Sequence, residues 1–269
     1  MNALRGPILG LRGMLKQPRH AVRWLIDVEH DRKFERWPGA YRGVYGSFTE
    51  ARAAAPGAKL GFNHVELTNI YDNRMGKAFS SDYPALFWLG KLLGETSSLF
   101  DWGGHVGVSY YTYRRYLTLP ESFRWLVCEV PEIAKAGAEL AAKNGVPQLA
   151  FTTEPTDASG FDILMAAGSL QFLESPLASD LARLQRKPRH LLINKLPLYD
   201  GEQFVTLQNT IHSYNPYKVQ NRAQFVDSVV RSGYELVDEW DTPDMTCHIP
   251  LHPEHSISAY SGFYFRAKS

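Results

Sequence analysis

Short apolar runs alternate with amphipathic segments along the chain from about residue 97 onward. Five of these runs predict strands, at 97–102, 124–130, 148–153, 161–167 and 190–196. Segments between them predict helices, at 106–117, 132–144 and 175–187. Short strands that alternate with helices are typical of a parallel sheet with helices on both faces. The pattern therefore predicts an α/β fold.

The pattern changes towards the end of the chain. Two more helices are predicted at 202–212 and 221–232, followed by strands at 234–241 and 257–267. The last two strands have no helix between them, only a loop rich in proline and histidine. Parallel strands need a long crossover, so this direct connection favours an antiparallel strand at one edge of the sheet.

The first 95 residues lack this alternation and predict a mostly helical accessory region. Helices are expected at 17–37, 47–55 and 80–93, and a polar and aromatic stretch lies at 61–79. We therefore expect an accessory region or lid over residues 1–95 and an α/β domain over residues 96–269.

Composition narrows the class of protein. The chain has 269 residues, 44% of them hydrophobic, which suits an α/β core with a modest extra segment. A net charge of +1 gives no overall field to attract nucleic acid, so the expected partner is a small molecule. Cys128 and Cys247 lack metal-ligand spacing, and no carboxylate partners are evident for His248, His252 and His255. We therefore expect no metal site and a cytoplasmic location. For the assembly, a homodimer is one alternative.

Positive charge is concentrated near the start of the chain. Residues 1–43 contain nine Lys or Arg and four Asp or Glu. The favoured interpretation is a solvated or self-docking tail, and the alternative is a basic amphipathic segment that touches a membrane surface. No run approaches the roughly 20 apolar residues of a membrane span. Residues 1–16 also lack the pattern of a signal peptide.

The most informative motif is the glycine turn after the first strand of the α/β domain. It contains Asp101, Gly103, Gly104 and Gly107. Glycine has no Cβ, so the backbone of such a turn can approach a ligand closely. The helix expected next would direct its N-terminus at the same ligand. Asp101 ends the strand, and its carboxylate is expected to face whatever the turn binds.

Glu129 ends the second strand, and its position identifies the ligand more closely. An acid about 20 residues after such a turn can hydrogen-bond the ribose hydroxyls of an adenosine. Either a dinucleotide or S-adenosyl-L-methionine (SAM) would fit. A dinucleotide favours glycine where Trp102 stands, and Asp101 would repel its phosphates. SAM carries a sulfonium and an ammonium, which an acid attracts, so the sequence predicts SAM.

These segments resemble a known family. Asp101-x-Gly103-Gly104-x-x-Gly107, together with Glu129, resembles the first motifs of the class I SAM-dependent methyltransferases. The stretches 161–173 and 190–197 resemble the fourth and fifth strands of that family. More narrowly, the chain resembles a group of bacterial methyltransferases whose acceptors are mostly undefined, through segments around Gly103 and at 169–171, 194–197 and 212–217.

The resemblance implies a fold and a cofactor site. The fold is a Rossmann-like sheet of seven strands in the order 3-2-1-4-5-7-6, with the last strand antiparallel. The implied adenine position is after the third strand, and the methionine side of the cofactor is at the end of the fourth. The expected cofactor-binding residues are Asp101, Gly103, Gly104, Gly107, Glu129, Val130, Thr153, Ala167, Gly168 and Ser169.

Methyl transfer to a hydroxyl needs a group that takes up the proton, and histidine is the usual base near neutral pH. The candidate bases are His105, within the turn, and His212, in a polar and aromatic run after the fifth strand. A structural hydrogen bond is the alternative role for each. Candidate acceptor-binding residues, whose alternative roles are packing or capping, are Tyr71, Asn73, Tyr110, Asn194, Tyr214 and Asn215.

The sequence thus predicts an enzyme that transfers a methyl group from SAM to a small hydroxylated acceptor, such as a saccharide or a secondary metabolite. One alternative is an enzyme that uses the aminocarboxypropyl group of SAM, by transfer or by cyclisation with release of methylthioadenosine. The second alternative is a SAM-binding module without catalytic activity.

Overall fold

The computed structural model describes residues 18–57, 60–68, 74–210 and 212–268. Tyr71 and Asn73, two of the predicted acceptor residues, lie outside these ranges, as does the basic segment before residue 18. Within these ranges, no helix combines the length and the apolar character that a membrane span requires.

The helices and strands follow the predicted order over residues 98–196 and again over residues 222–267. In the described residues the helices are α1 (Pro18–Arg32), α2 (Phe48–Ala53), α3 (Tyr83–Leu92), α4 (Val108–Tyr113), α5 (Pro131–Lys143), α6 (Leu177–Arg183) and α7 (Arg222–Arg231). The strands are β1 (Tyr41–Tyr45), β2 (Ser98–Trp102), β3 (Arg124–Cys128), β4 (Leu149–Thr152), β5 (Ile163–Ala167), β6 (His190–Leu196), β7 (Leu198–Tyr199), β8 (Phe204–Asn209), β9 (Tyr214–Asn221), β10 (Tyr234–Thr242) and β11 (Tyr260–Ala267).

A seven-stranded sheet forms the centre of the molecule. Its order is β10-β11-β6-β5-β2-β3-β4. Strands β2 to β6 pair in parallel, whereas β11 pairs antiparallel with both β6 and β10. Numbered within the sheet, this is the order 3-2-1-4-5-7-6 with an antiparallel seventh strand. The predicted fold class is therefore confirmed.

Apolar side chains cover both faces of this sheet. Leu99 and Ile163 are buried in a cluster on one face, and Phe100 and Leu164 are buried in a cluster on the other. Successive residues of a strand point to opposite faces, so a strand covered on both sides must be apolar at nearly every position. This explains why these strands are continuous apolar runs in the sequence.

A second sheet of four strands was not predicted. Its order is β1-β8-β9-β7. Strand β1 comes from the N-terminal region, whereas β7, β8 and β9 come from the segment between β6 and α7. Strands from both sides of the proposed boundary near residue 95 therefore belong to one sheet. The helix predicted at 202–212 is wrong, because Phe204 and Val205 are buried in different clusters and the segment pairs on both edges.

Helix α2 illustrates a boundary that could be predicted. Ser47 precedes it, and its side-chain oxygen accepts a hydrogen bond from the backbone N–H of Glu50 at 3.2 Å. Such a cap satisfies one of the N–H groups that a helix leaves open at its start. Helix α4, by contrast, begins after Gly107 and is shorter than the predicted 106–117.

Candidate functional site

The glycine turn after β2 is packed too tightly for any side chain. Gly103 has a φ of 78°, and a Cβ added there would lie 2.3 Å from Cβ of Ser169. A Cβ on Gly104 would lie 2.4 Å from Oδ2 of Asp101. Gly107, with a φ of 92°, is the residue that precedes α4. The bare backbone at the first two positions is therefore a physical requirement, as the motif predicts.

Asp101 lies beneath this turn and is only 1% exposed. Its Oδ2 accepts a hydrogen bond from Nε1 of Trp125 at 3.2 Å. Burial raises the pKa of Asp101 to about 7. The expectation that this carboxylate faces a ligand directly is not met, because β2 is buried on both faces and the backbone of Gly104 covers the acid. Any effect on a ligand would act through the turn.

Glu129 stands on the wall of a cavity at the end of β3. Its Oε1 accepts a hydrogen bond from the backbone N–H of His105 at 3.1 Å, and its Oε2 accepts one from Val130 at 3.0 Å. Burial raises the pKa of this carboxyl, while the two backbone hydrogen bonds lower it. Each carboxylate oxygen can accept a further hydrogen bond. The side chain is thus fixed in place with acceptor capacity left over, as ribose binding requires.

The first cavity lies at the carboxyl ends of the parallel strands and has a volume of about 560 Å³. In open α/β sheets, ligands bind at this edge. Six of the predicted cofactor-binding residues line it: Gly103, Glu129, Val130, Thr153, Gly168 and Ser169. Aromatic side chains that were not predicted also line it, among them Trp102, Phe62 and Phe172.

A second cavity of about 490 Å³ adjoins the first. Its lining includes the predicted residues Gly104 and Ala167. Gly103, His105 and Gly168 line both cavities, so the glycine turn and the end of β5 form their common wall. Both volumes fall within the range of small-molecule sites. The arrangement can hold two ligands side by side.

His105 lies at the junction of the two cavities. Its φ is 54°, and the side chain is buried. The ring Nε2 is 2.9 Å from the backbone carbonyl oxygen of Leu67, which can only accept, so Nε2–H is the donor. The structure therefore places this predicted base where the two ligands would meet.

A buried ion pair on the wall of the second cavity was missed in the sequence. Nζ of Lys195 lies 2.6 Å from Oδ1 of Asp82. The same oxygen accepts a hydrogen bond from the hydroxyl of Tyr113 at 3.2 Å, and Oδ2 accepts one from the backbone N–H of Phe79 at 2.9 Å. Lys195 has a φ of 57°. The two charged residues come from distant parts of the chain, so spacing could not have revealed the pair.

Two of the predicted acceptor residues have structural roles instead. Tyr110 is 2% exposed, and its hydroxyl donates a hydrogen bond to Oε1 of Gln148 at 3.1 Å. Asn194 is also buried: Nδ2 donates to the backbone carbonyl oxygen of Ser81 at 2.7 Å, and Oδ1 accepts from Nε1 of Trp240 at 3.1 Å. Neither side chain lines a cavity. Their packing and hydrogen bonds account for them.

Three predicted site residues lie at the β8–β9 hairpin, and only one of them lines a cavity. His212 lies in its loop and lines neither cavity, so its position does not support a role as the base. Tyr214 stacks on Phe34 with ring centroids 5.6 Å apart and lines neither cavity. Asn215 does line the first cavity, although its Nδ2 also donates to Oγ1 of Thr210 at 2.9 Å.

The histidines of the loop before β11 have carboxylate partners after all. Nε2 of His248 lies 3.0 Å from Oδ1 of Asp27. Two groups bring candidate metal ligands within 4.8 Å of one another: Asp27 with His30 and His248, and His252 with Glu254 and His255. These groups line neither cavity. They are therefore separate from the site described above.

Comparison with solved structures finds chains that resemble this one. A Burkholderia thailandensis 1,6-didemethyltoxoflavin-N1-methyltransferase with bound 1,6-didemethyltoxoflavin and S-adenosylhomocysteine is 18% identical, with 80% of this chain and 93% of that chain covered and a TM-score of 0.49. The CcbJ methyltransferase from Streptomyces caelestis is 13% identical, with coverages of 77% and 98% and a TM-score of 0.49. Family models and curated proteins give no match. At these identities and TM-scores, the case for a function rests on the site itself.

Proposed function

We propose that the protein is a SAM-dependent methyltransferase that acts on a hydroxyl group of a small acceptor, such as a saccharide or a secondary metabolite. The observation that carries the proposal is the Glu129 carboxylate, held by two backbone N–H groups on the wall of the first cavity. It stands beside a glycine turn at the ligand-binding edge of a methyltransferase-type sheet.

The charges around the turn favour SAM over a dinucleotide. Asp101 beneath the turn, which is about half ionised near pH 7, and Glu129 beside it are both carboxyl groups, and their ionised forms attract a sulfonium and repel a pyrophosphate. Helix α4 has only six residues and offers little of the N-terminal dipole on which a pyrophosphate rests. Both features support the sulfonium cofactor.

The lining residues suggest roles for the two cavities. Glu129 would hold the ribose, Thr153 lies where the resemblance puts the adenine, and the backbone of Gly103 and Gly104 would lie along the methionine part. When bound, SAM supplies a methyl group on a sulfonium and leaves as S-adenosylhomocysteine (SAH). The acceptor would occupy the second cavity. His105 at the junction would take up the proton of its hydroxyl at Nδ1, since Nε2 already carries the hydrogen that bonds Leu67.

Calorimetric titration with SAH tests the cofactor assignment. Glu129→Gln should weaken SAH binding about tenfold or more, which corresponds to about 1.4 kcal/mol. A neutral amide has one acceptor oxygen, and its NH₂ group would face one of the two backbone N–H groups. Glu139→Gln, an exposed position on α5, is the matched control and should bind as wild type. Equal affinity of the Glu129→Gln variant would contradict the proposal.

The products distinguish the reaction classes. Incubation of the protein with SAM and a small-molecule extract should yield SAH. Methylthioadenosine would indicate aminocarboxypropyl chemistry, and SAH binding without turnover would indicate a non-catalytic module. His105→Asn should lower SAH formation about a hundredfold while SAH affinity is kept, because asparagine tolerates the left-handed backbone. A wild-type rate would remove His105 from the reaction.

Location and assembly stay predictions. The described cysteines, Cys128 and Cys247, are free and buried, and the net charge is close to zero. Both features are compatible with the proposed cytoplasmic location, and the homodimer is tested by measuring the mass in solution.

A further inference from the structure

Helix α1 and the loop before β11 bring three metal-binding side chains together. Asp27 and His30 belong to the helix, and His248 belongs to the loop. One ligand atom of each, a carboxylate oxygen or a ring nitrogen, lies within 4.8 Å of the ligand atoms of the other two. Asp27 and His30 are three residues apart, a spacing that puts two side chains on one face of a helix. The three side chains therefore converge on one point.

The donor atoms and their separation suit zinc. Two imidazoles and one carboxylate are a set that zinc uses in proteins, with water in the fourth position. Tetrahedral zinc binds such ligands at about 2.1 Å, so two of its ligand atoms stand about 3.4 Å apart. Nε2 of His248 lies 3.0 Å from Oδ1 of Asp27. Small rotations of the two side chains would let both atoms bind one ion.

Asp27 provides a second, independent signal of a cation, because it is only 5% exposed. A buried carboxylate is costly unless a positive charge accompanies it. Among the side chains that the structure describes, no Lys or Arg lies within ion-pair distance of Asp27, and its hydrogen-bond partner is the ring of His248. A metal ion would supply the positive charge. His30 and His248 are half-buried, so water can reach the ion and complete its coordination.

Both segments are held in place by contacts of their own. Asp31, one turn beyond Asp27 on α1, accepts two hydrogen bonds from the Arg42 guanidinium of β1, at 3.1 and 3.2 Å. In the loop, the residue before His248 is the buried Cys247, whose backbone exchanges two hydrogen bonds with that of residue 257, at 2.9 and 2.8 Å. Ligands that are already positioned lose little conformational entropy when the ion binds.

The other histidine group is the weaker candidate. His252, Glu254 and His255 lie within four consecutive residues and join no separate parts of the chain. The side chain of Glu254 is 61% exposed. Attraction between a carboxylate and a cation falls as the surrounding dielectric rises, so an exposed carboxylate holds a metal less well than a buried one. This group serves as the control below.

We propose that Asp27, His30 and His248 bind one zinc ion, with water as the fourth ligand, and that the ion fastens α1 to the loop before β11. The group lines neither cavity, so its role is structural and the inference does not depend on the proposed methyl transfer. It departs from the expectation of no metal site. That expectation rested on spacing along the chain, whereas these ligands come from its two ends.

Calorimetric titration of the tag-free, chelator-treated protein with ZnCl₂ tests the site. One zinc ion per chain should bind with a Kd of about 1 μM or below. His248→Gln should weaken this binding about a hundredfold or more, since it removes a ligand. With 40% of the His248 side chain exposed, the fold should tolerate glutamine. The matched control, His252→Gln, should bind zinc as wild type does.

Two results of the titration would overturn the proposal. Wild-type zinc affinity in the His248→Gln variant would show that His248 is not a ligand. Loss of binding in the His252→Gln variant alone would place the ion in the other histidine group. His30→Gln gives an independent check, because it removes a ligand from the helix and should weaken zinc binding to a similar degree.

Thermal unfolding and amide hydrogen exchange test the structural role. Zinc at about a hundredfold excess over its Kd should raise the unfolding midpoint by about 5 °C, since an ion that binds only the folded state stabilises it. Zinc should also slow amide exchange within α1. Zinc binding without slower exchange in α1 would overturn the fastening role. If no zinc binds, the contact between Asp27 and His248 is an ordinary hydrogen bond and the proposal fails, while the proposed function stands.

Discussion

The two cavities share a wall but are built in different ways. The first is formed by the ends of neighbouring parallel strands, and its main polar group, Glu129, is held by backbone N–H groups from the adjacent turn. The second depends on side chains from separate parts of the chain, such as Asp82, Gln171 and Lys195. The first cavity is thus encoded locally, whereas the second exists only once the fold has formed.

Removal of one partner of the ion pair in the second cavity should have the largest effect on stability, and it tests whether this cavity depends on long-range contacts. Lys195→Met should destabilise the protein by about 3 kcal/mol, because it leaves the carboxylate of Asp82 buried without its cation. Urea unfolding measures the loss. The pair is nearly covered, with 16% and 9% of the two side chains exposed, so solvent screens it little.

A double variant separates the pair from the packing around it. Asp82→Leu combined with Lys195→Met removes both charges, and its loss of stability should be smaller than the sum of the two single losses. If the losses simply add, the two residues do not interact, and the second cavity is not organised around their contact.

The glycine turn, which lines both cavities, gives the next largest effect. Gly103→Ala should cost about 2 kcal/mol more than Gly145→Ala in urea unfolding. Both positions have positive φ, at 78° and 62°, so both alanines bear the same backbone strain. A Cβ at position 103 meets Ser169 at 2.3 Å, whereas one at 145 meets nothing within 4 Å. Equal losses would show that the turn is not tightly packed.

The features that depend on local pattern could be predicted from the sequence, and those that depend on long-range contacts could not. The seven-stranded sheet was predictable because strands buried on both faces are continuous apolar runs, and the strand order followed from the resemblance. The positions of Glu129, Gly103 and Thr153 followed as well, since each sits at the end of a strand. Local pattern was sufficient wherever a residue's role depends on its own strand.

The four-stranded sheet and the second cavity could not be predicted in this way. Strand β8 pairs with β1 from the far end of the chain, and that pairing outweighed the helical interpretation of residues 202–212. Asn194 and Tyr110 appeared to be suitable pocket residues, but tertiary contacts bury them. Asp101 was expected to face the ligand of the turn, whereas the structure buries it against Gly104, because sequence does not show which side of a buried strand is open.

Asp101, beneath the turn, should have an effect of similar size, on the pH dependence of stability. Burial raises the pKa of Asp101 from 3.8 to about 7. Between these values the folded protein binds a proton that the unfolded chain does not, so this residue makes stability fall as pH rises. From about pH 5.5 to about pH 8, wild type should lose about 2 kcal/mol relative to Asp101→Asn. Parallel pH profiles in urea unfolding would show that Asp101 is not buried as described.

The smallest expected effect concerns His212, which the sequence favoured as a base. Since His212 lies in the β8–β9 loop and lines neither cavity, His212→Ala should change SAH affinity and SAH formation by less than about twofold, as for an ordinary surface substitution. Affinity is measured by calorimetric titration, and SAH formation with the same extract used for wild type. A loss of about tenfold or more in SAH formation alone would mean that the hairpin moves onto the acceptor during the reaction. The second cavity would then depend on motion as well as on long-range packing.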